Sequence, residues 1–189
     1  MLAGGESRRM GRSKALLPVA GRTLVEWQFS RLGPSFLETL IAVAAPEQLP
    51  ARLRALAVMD STPGRGPLAG LEAGLKRAES ELVFAMAVDM PYVHPSHANR
   101  LAGLLGGHEA AVPLSDRGAD PLCALYRRSA ALAAASAALA AGELRLTDLL
   151  RRLDVAEVDA ALLGDALTNL NTPADYEAFF RRQGAVTDN

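Results

Sequence analysis

The sequence predicts a single α/β domain built around a mostly parallel central sheet. Short apolar segments alternate along the chain with longer segments that carry apolar residues at helical spacing, the order expected of strands joined by crossover helices. One apolar segment, residues 82–88 (LVFAMAV), is almost continuous, as expected of a central parallel strand that is covered on both faces. The chain of 189 residues contains no internal repeat and no linker, so we expect one domain over residues 1–189.

Periodicity and start signals predict the individual elements. Residues 24–32 form an amphipathic helix with a capping box, in which Thr23 is the N-cap and Glu26 follows three residues later. Pro95 opens another helix, and Gly142 ends an alanine-rich one. Besides the helix at 24–32, the predicted helices are 47–56, 67–78, 95–105, 129–141, 147–153 and 173–182. The predicted strands are 39–44, 56–59, 82–88, 110–114 and 122–126.

Composition excludes several classes of protein. Half of the residues are hydrophobic and 22% are charged, which is typical of a globular chain. The net charge of −1 gives no overall basic field, so we expect no nucleic acid and no membrane surface as partner. No apolar run approaches the ~20 residues of a membrane span, and no signal-peptide region is present. A single cysteine, Cys123, fits a reducing compartment, so the expected location is cytoplasmic.

The N-terminal stretch combines two adjacent glycines with a cluster of cations. Gly4 and Gly5 allow the backbone to turn and to approach a ligand closely. The cations that follow are Arg8, Arg9, Arg12 and Lys14. Exposed backbone N–H groups and positive charge together favour a phosphate site, although a flexible basic N-terminus would have the same composition. The spacing matches neither the GxxxxGK[ST] of a P-loop nor the GxGxxG of a dinucleotide fold.

Only Met1 and Leu2 precede the glycine pair and its neighbour Ala3. Rossmann-like sheets place a buried strand directly before such a loop, and loss of a central strand would expose the backbone edges of its neighbours. We therefore expect either that a segment is missing ahead of Met1 or that the strand is supplied in another way. Intact-mass analysis of the native protein tests this expectation.

Two acidic residues, Asp60 and Asp89, each follow a predicted strand, and the glycine pair stands where the expected first strand would end. Because ligands in open α/β sheets bind beyond the carboxyl ends of the strands, we expect these residues to gather at one edge. Asp89 comes directly after the run 82–88 and is followed by Pro91, so its carboxylate can hold Mg²⁺ while substrate phosphates and water fill the other positions. The alternative role for Asp89 is a helix cap or a turn former.

Four blocks of sequence, in this order, resemble the Rossmann-like nucleotidyltransferases, and most closely the molybdenum cofactor guanylyltransferases. The blocks are Leu2-Ala3-Gly4-Gly5 with Arg9-Met10-Gly11 and Lys14, Gly66-Pro67-Leu68-Ala69-Gly70, Asp89-Met90-Pro91-Tyr92, and Asn169-Leu170-Asn171-Thr172-Pro173. The resemblance implies a three-layer Rossmann-like fold, with a nucleotide half at about 1–90 and an acceptor half at about 91–189. It also implies transfer of GMP from GTP to the phosphate of molybdopterin, release of pyrophosphate, and Mg²⁺ as cofactor.

The same resemblance implies roles for individual residues. Lys14 and Arg9 contact the nucleotide phosphates and, with Asp89 as the magnesium ligand, form the catalytic set; a solvated surface lysine is the alternative for Lys14. Asp60 helps to select guanine, because a carboxylate can accept hydrogen bonds from N1–H and N2–H₂, while turn initiation is an equal alternative. The GTP-binding set is Leu2, Ala3, Gly4, Gly5, Lys14, Asp60, Pro67, Leu68 and Asp89.

Fewer signals mark the acceptor site. The candidates are Arg117, Asp120, Asn169 and Asn171. Asn171 precedes Thr172-Pro173, where its amide can bridge phosphate, metal or pterin, or where Asn171 or Thr172 can simply cap the last helix. The polar loop 115–120 is the candidate for binding the pterin, although the family often has a different residue where Asp120 stands.

Covalent catalysis is not expected. The histidines have no cysteine partner for a zinc site, there is no GxSxG elbow, and Cys123 has no base nearby in sequence. The hypothesis is direct in-line attack by the molybdopterin phosphate on the α-phosphorus of GTP. The alternatives are CTP in place of GTP, another phosphorylated acceptor, or a nucleotide-binding regulatory protein without turnover. Transient contact with other cofactor-synthesis proteins or molybdoenzymes is compatible with the resemblance.

Overall fold

The computed structural model describes residues 1–4, 13–59 and 66–184. Its helices are α1 (Leu24–Leu32), α2 (Gly66–Arg77), α3 (Pro95–Leu105), α4 (Arg128–Ala140), α5 (Leu146–Leu150) and α6 (Pro173–Gly184). Its strands are β1 (Pro18–Val19), β2 (Arg22–Thr23), β3 (Ile41–Val43), β4 (Ala57–Met59), β5 (Leu82–Met86), β6 (Ala110–Ser115), β7 (Gly118–Ala119), β8 (Cys123–Arg127) and β9 (Val155–Asp159). The predicted bounds of α1 and α3 are confirmed.

Most strands of the central sheet run in one direction. β3 pairs in parallel with β4, and β6 pairs in parallel with β9. β8 lies between β5 and β6 and is antiparallel to both, so β5 and β6 share a direction. Leu2 forms one parallel bridge to Ala42 of β3 and another, on its other side, to Ala87, which directly follows β5. Leu2 therefore links β3 to β5. The predicted α/β class with a mostly parallel sheet is therefore confirmed.

The sequence predicts that the central strand before the glycine pair is missing or is supplied in another way. In the structure, the first residues of the chain occupy its position. The Leu2 N–H donates to the carbonyl oxygen of Met86 at 2.8 Å, and the Leu2 carbonyl accepts from the Val88 N–H at 2.9 Å. On the other side, the Ala42 N–H donates to the carbonyl oxygen of Met1 at 2.9 Å. Hydrogen bonds to both neighbours therefore hold these residues as a very short inner strand.

An apolar cavity of about 510 Å³ lies beside this short strand. Leu40 and Val83, from the segments on either side, are among the residues that line it, and so is Met1. The amino group of Met1 is buried and donates to the carbonyl oxygen of Leu40 at 2.8 Å. Burial lowers the pKa of this amino group to about 6, because removal from water disfavours its charged form.

Helices cover both faces of the sheet. Side chains alternate along β6, so that Ala110 and Val112 pack with α2, α4 and α5, whereas Ala111 packs on the opposite face with α3. On that second face, α1 and α6 complete the layer through Leu24 and Phe179. The arrangement of helix, sheet and helix is the predicted three-layer architecture. Among the described residues, no helix is long and apolar enough to cross a membrane.

Two parts of the predicted pattern are corrected by the structure. Residues 47–56 do not form one helix but two 3₁₀ segments, Pro46–Gln48 and Ala51–Leu56. Pro50 explains the break, because proline lacks an N–H and biases the residue before it toward extended backbone. The sequence also did not predict the two-residue strands β1, β2 and β7, or the longer strand β9. β9 buries one of its five residues, Val158, so its composition is too polar to indicate a buried strand.

Candidate active site

Asp89 stands where the backbone leaves the sheet. The backbone hydrogen bonds that continue the sheet after β5 end with the one that the Val88 N–H donates to the carbonyl oxygen of Leu2. The carbonyl oxygen of Asp89 then accepts from the Leu170 N–H at 2.8 Å, and its carboxylate is 16% exposed. The carboxylate therefore lies at the carboxyl edge of the parallel strands, at the boundary between core and solvent, as the sequence predicted.

Lys14 connects three segments that are distant in sequence. It begins a short 3₁₀ segment, Lys14–Leu16, and its Nζ donates to Asp89 Oδ2 at 2.6 Å. The same Nζ donates to Asn171 Oδ1 at 3.0 Å. The side chain of Lys14 is 20% exposed, so the ammonium is partly withdrawn from water and its charge is less screened than at an open surface. The structure thus brings together three predicted site residues.

The segment that presents Asn171 is fixed by a cap at the start of α6. The backbone N–H groups of Asn171 and Thr172 donate to Asp175 Oδ2 at 3.0 and 2.8 Å, and the Asp175 N–H donates to Thr172 Oγ1 at 3.1 Å. Hydrogen bonds from Thr172 are the main cause that lowers the pKa of Asp175. Thr172 is therefore the cap, which leaves the Asn171 side chain free to reach Lys14.

The donor atoms of this cluster suit magnesium. A carboxylate oxygen of Asp89 and an amide oxygen of Asn171 already converge on one positive charge, the ammonium of Lys14. Mg²⁺ prefers hard oxygen ligands and is commonly held by one or two carboxylates together with substrate phosphates and water. The described residues contain no group of three or more His, Cys, Asp or Glu that could hold a metal ion.

The other predicted nucleotide residues are placed as follows. The Gly4 N–H donates to the carbonyl oxygen of Ala42 at 3.0 Å, and Gly4 is exposed, whereas Leu2 and Ala3 belong to the inner strand. Gly66 adopts a φ of 76°, a conformation that favours glycine, and α2 begins there with Pro67 exposed. Leu68 is fully buried in the core, so its side chain serves packing.

Several predicted residues lie outside the described part of the chain. They are Gly5, Arg9 and Asp60, and their roles in binding phosphate and guanine stay predictions. Gly4 directly precedes residues 5–12, which lie outside the described part of the chain, and Lys14 follows them by two positions.

The acceptor candidates are less closely held. β6 and β7 form a hairpin whose turn carries Arg117, and this side chain is exposed. The Asp120 N–H donates to the carbonyl oxygen of Pro113 at 2.9 Å. Burial raises the pKa of Asp120, and the nearby Arg117 opposes this effect. Asn169 donates locally to the carbonyl oxygen of Leu167 at 3.5 Å, so among the acceptor candidates Asn171 is the one hydrogen-bonded to Lys14.

The remaining titratable groups that the sequence considered lie elsewhere. Cys123 is fully buried in β8, and burial, with a smaller effect of Asp120, raises the pKa of its thiol to about 12. His94 and His97 contact each other at the start of α3, where the His94 N–H donates to His97 Nδ1 at 3.0 Å. His108 Nδ1 lies 2.9 Å from a carboxylate oxygen of Asp154. None of these four side chains contacts Lys14 or Asp89 in the described structure.

Sequence reasoning missed two polar residues of α1 that contact the Asp89 loop. Gln28 is fully buried, and its Nε2 donates to the carbonyl oxygen of Met90 at 2.7 Å. Arg31 Nη1 donates to the carbonyl oxygen of Pro91 at 2.8 Å. The one signal was the position of Gln28, four residues after an apolar residue and four before another, which places an amide on the apolar face of the helix.

Comparison with known proteins agrees with this geometry. The model of the MobA-like NTP transferase domain matches residues 1–158. The chain belongs to this family of nucleotidyltransferases. It is 34% identical to a probable molybdenum cofactor guanylyltransferase of Natronomonas pharaonis, over 94% of this chain and 93% of the relative. It is 30% identical to a protein of the same description from Bacillus subtilis, over 98% of this chain and 96% of the relative.

Solved structures show the same fold. Molybdopterin-guanine dinucleotide biosynthesis protein A from Archaeoglobus fulgidus superposes with a TM-score of 0.83 at 28% identity, covering 97% of each chain. A cytidylyltransferase for 2-C-methyl-D-erythritol 4-phosphate from Thermus thermophilus superposes at 0.69 with 21% identity, over 91% of this chain and 94% of the other, which shows a shared fold. The resemblance and the fold predicted from the sequence are therefore confirmed, and the chain is a transferase of the nucleotidyltransferase class.

Proposed function

We propose that this chain transfers GMP from GTP to the phosphate of molybdopterin, forming the guanine dinucleotide form of the molybdenum cofactor and releasing pyrophosphate. The observation that carries the proposal is the convergence of Asp89 and Asn171 on the Lys14 ammonium at the carboxyl edge of the sheet. Support comes from relatives described as probable molybdenum cofactor guanylyltransferases that match nearly the whole chain at 30–34% identity.

In this proposal an oxygen of the molybdopterin phosphate attacks the α-phosphorus of GTP. A new P–O bond forms, the bond from the α-phosphorus to the bridging oxygen breaks, and pyrophosphate leaves with the electron pair. The attacking phosphate is already ionised at neutral pH, so no general base is required. What the protein must supply is alignment of two anions and compensation of the charge that builds on the leaving group.

Lys14, Asp89 and Asn171 would divide this task. Asp89, with Asn171, would hold Mg²⁺, which when bound supplies positive charge to the phosphate oxygens. Lys14 carries a second cation, which two hydrogen bonds hold beside the oxygens of Asp89 and Asn171 before metal and substrate arrive. Its ammonium is thereby positioned to contact the phosphate oxygens when GTP binds, where its charge would stabilise the leaving group.

The nucleotide and the acceptor would bind on either side of this cluster. The GTP side comprises the exposed backbone at Gly4 and the start of α2 at Pro67, together with the predicted roles of Arg9 in phosphate binding and of Asp60 in guanine selection. On the acceptor side, the exposed Arg117 offers a cation for the anionic pterin substrate. We place the reaction in the cytoplasm, with GTP and molybdopterin as substrates and transient contacts to other cofactor-synthesis proteins or molybdoenzymes for delivery.

The test is pyrophosphate release from GTP, CTP and ATP in the presence of Mg²⁺, with and without molybdopterin. Release that requires molybdopterin and prefers GTP is the expected result. A preference for CTP would contradict the guanine assignment while retaining the chemistry. Release that does not depend on molybdopterin would contradict the assignment of molybdopterin as the acceptor. No release with any nucleotide, from protein whose fold is verified by circular dichroism, would favour a binding protein without turnover.

A further inference from the structure

Three consecutive carbonyl groups around Asp89 are each bound by a donor from another part of the chain. Gln28 Nε2 donates to the carbonyl oxygens of Val88 and Met90, at 3.3 and 2.7 Å. Between them, the carbonyl oxygen of Asp89 accepts from the Leu170 N–H at 2.8 Å. The peptide groups on both sides of the Asp89 side chain are therefore fixed from two directions.

Gln28 is an unusual residue for its position. It lies at the centre of α1 and is fully buried, where an amide is unfavourable unless its hydrogen bonds are made. Its donors reach the stretch where the strand ends and the backbone turns. A methionine or leucine would satisfy the packing of α1 at this position, so the polar side chain serves the loop rather than the core.

Arg31, one turn later on α1, extends the same set of contacts. Its Nη1 donates to Gln28 Oε1 at 3.4 Å and to the carbonyl oxygen of Pro91 at 2.8 Å. The guanidinium lies 4.2 Å from the ring centroid of Trp27, which orients it from the other side. Gln28 is therefore itself held in place, and its amide can act as a rigid support for the loop.

We propose that Gln28 is a positioning residue that holds the Asp89 loop so that the carboxylate points at the cation site, and thereby sets the affinity of that site for Mg²⁺. This inference rests on the proposed function, because it takes Asp89 as the metal ligand. Residues that orient metal ligands from outside typically change metal affinity by about 10–100-fold when they are replaced. Gln28 touches neither the metal position nor the reacting atoms, so its effect passes through Asp89.

The experiment compares Gln28→Met, which keeps the volume but removes the donors, with the unmodified chain. Calorimetric titration with Mn²⁺ measures metal affinity, with a non-hydrolysable GTP analogue bound because substrate phosphates supply part of the ligand set, and with the analogue alone as the blank. We expect the affinity of Gln28→Met to fall about tenfold or more. Gln28→Asn, which retains an amide on a shorter side chain, should lose less. Hydrogen exchange of the Leu170 amide should become faster in Gln28→Met, because the Asp89 carbonyl group that accepts its hydrogen bond is no longer held.

Leu24→Ala is the matched control, since it removes a fully buried side chain from the same helix without removing a hydrogen bond to the loop. It should lower the melting temperature but leave Mn²⁺ affinity unchanged. Unchanged affinity in Gln28→Met, with a lower melting temperature as in the control, would reduce Gln28 to a structural residue and overturn the inference alone. Absence of Mn²⁺ binding by the unmodified chain would instead overturn the metal role of Asp89, on which the inference depends.

Discussion

The two ends of the proposed site differ in how they are held. In the Lys14–Asp89–Asn171 cluster, the Lys14 and Asp89 side chains are partly withdrawn from water and that of Asn171 is exposed. The three side chains are hydrogen-bonded to one another across 75 and 157 residues of sequence. The β6–β7 hairpin, in contrast, carries Arg117 exposed on a tight turn whose hydrogen bonds are local. The difference indicates that the cluster is preorganised for charge stabilisation, whereas the hairpin can adjust to the acceptor. Substitutions in the cluster should act on kcat, and those in the hairpin on KM.

The largest effect is expected from Asp89→Asn, which keeps the shape of the side chain but removes its charge. Turnover should fall by about three orders of magnitude, since several kcal/mol of transition-state stabilisation depend on the metal. Pyrophosphate release at saturating substrates measures it, with the melting temperature as a check on folding. Retention of more than a tenth of the activity would remove Asp89 from the metal role and with it the proposed contrast between the two ends.

Lys14→Met should follow, with a fall in kcat of about 100-fold and a smaller change in the KM for GTP, because its charge acts mainly on the leaving group. Arg181→Met, which removes a cation from an exposed ion pair on α6, is the control and should leave kcat unchanged. If Lys14→Met raised KM and left kcat alone, the lysine would be a simple binding group, and the cluster would resemble the hairpin.

Arg117→Ala should have a smaller effect that falls on the acceptor. We expect the KM for molybdopterin to rise about tenfold, roughly 1.4 kcal/mol of binding, with kcat nearly unchanged. Asp116→Ala, at the neighbouring exposed position, is the control, and the KM for molybdopterin should not rise in it. Steady-state kinetics with varied molybdopterin measure both. A fall in kcat comparable with that of Lys14→Met would show that the hairpin is part of the charge-stabilising machinery.

The smallest effect concerns Asp120, whose pKa is raised mainly by burial. The folded state binds the proton of this carboxyl group more tightly than the unfolded state does. The group therefore lowers stability increasingly as the pH rises from its unfolded-state pKa to its higher folded-state pKa. Asp120→Asn should therefore increase the free energy of unfolding at pH 7 by a few tenths of a kcal/mol. The gain should vanish once the pH falls below ~3.9, the ordinary pKa of aspartate. Urea unfolding at several pH values measures this difference in the free energy of unfolding. If Asp120→Asn were less stable than the unmodified chain at pH 7, the negative charge of Asp120 would instead stabilise the fold.

The elements that the sequence predicted well are those whose signals are local. The capping box at Thr23 and the proline at the start of α3 determine where those helices begin, and the apolar run before Asp89 marks an inner strand. The failures also have a physical cause. Pro50 divides a region that looked helical, and β9 is a sheet edge whose single buried residue leaves no periodic pattern.

The site shows the same division. Asp89 is recognisable from its place after a buried strand, and Lys14 belongs to the cation cluster that follows the glycine pair. Their hydrogen bond to each other and the one from Lys14 to Asn171 were not predicted, because contacts over such separations leave no local trace. Gln28 was not found at all, because a single glutamine on an apolar helix face does not reveal which carbonyls it binds. Long-range hydrogen bonds are what composition and periodicity cannot predict.

The lone cysteine provides a way to follow how often this core opens. Cys123 lies in β8, opposite Met86 of β5, with its thiol fully buried and its pKa raised to about 12. A thiol reagent attacks the thiolate, and at neutral pH that form is scarce in the folded protein. Modification therefore requires β8 to separate from its neighbours, and its rate reports this opening. Since β5 leads directly into Asp89, a ligand that closes the site should slow the labelling of a sulfur atom that it never touches.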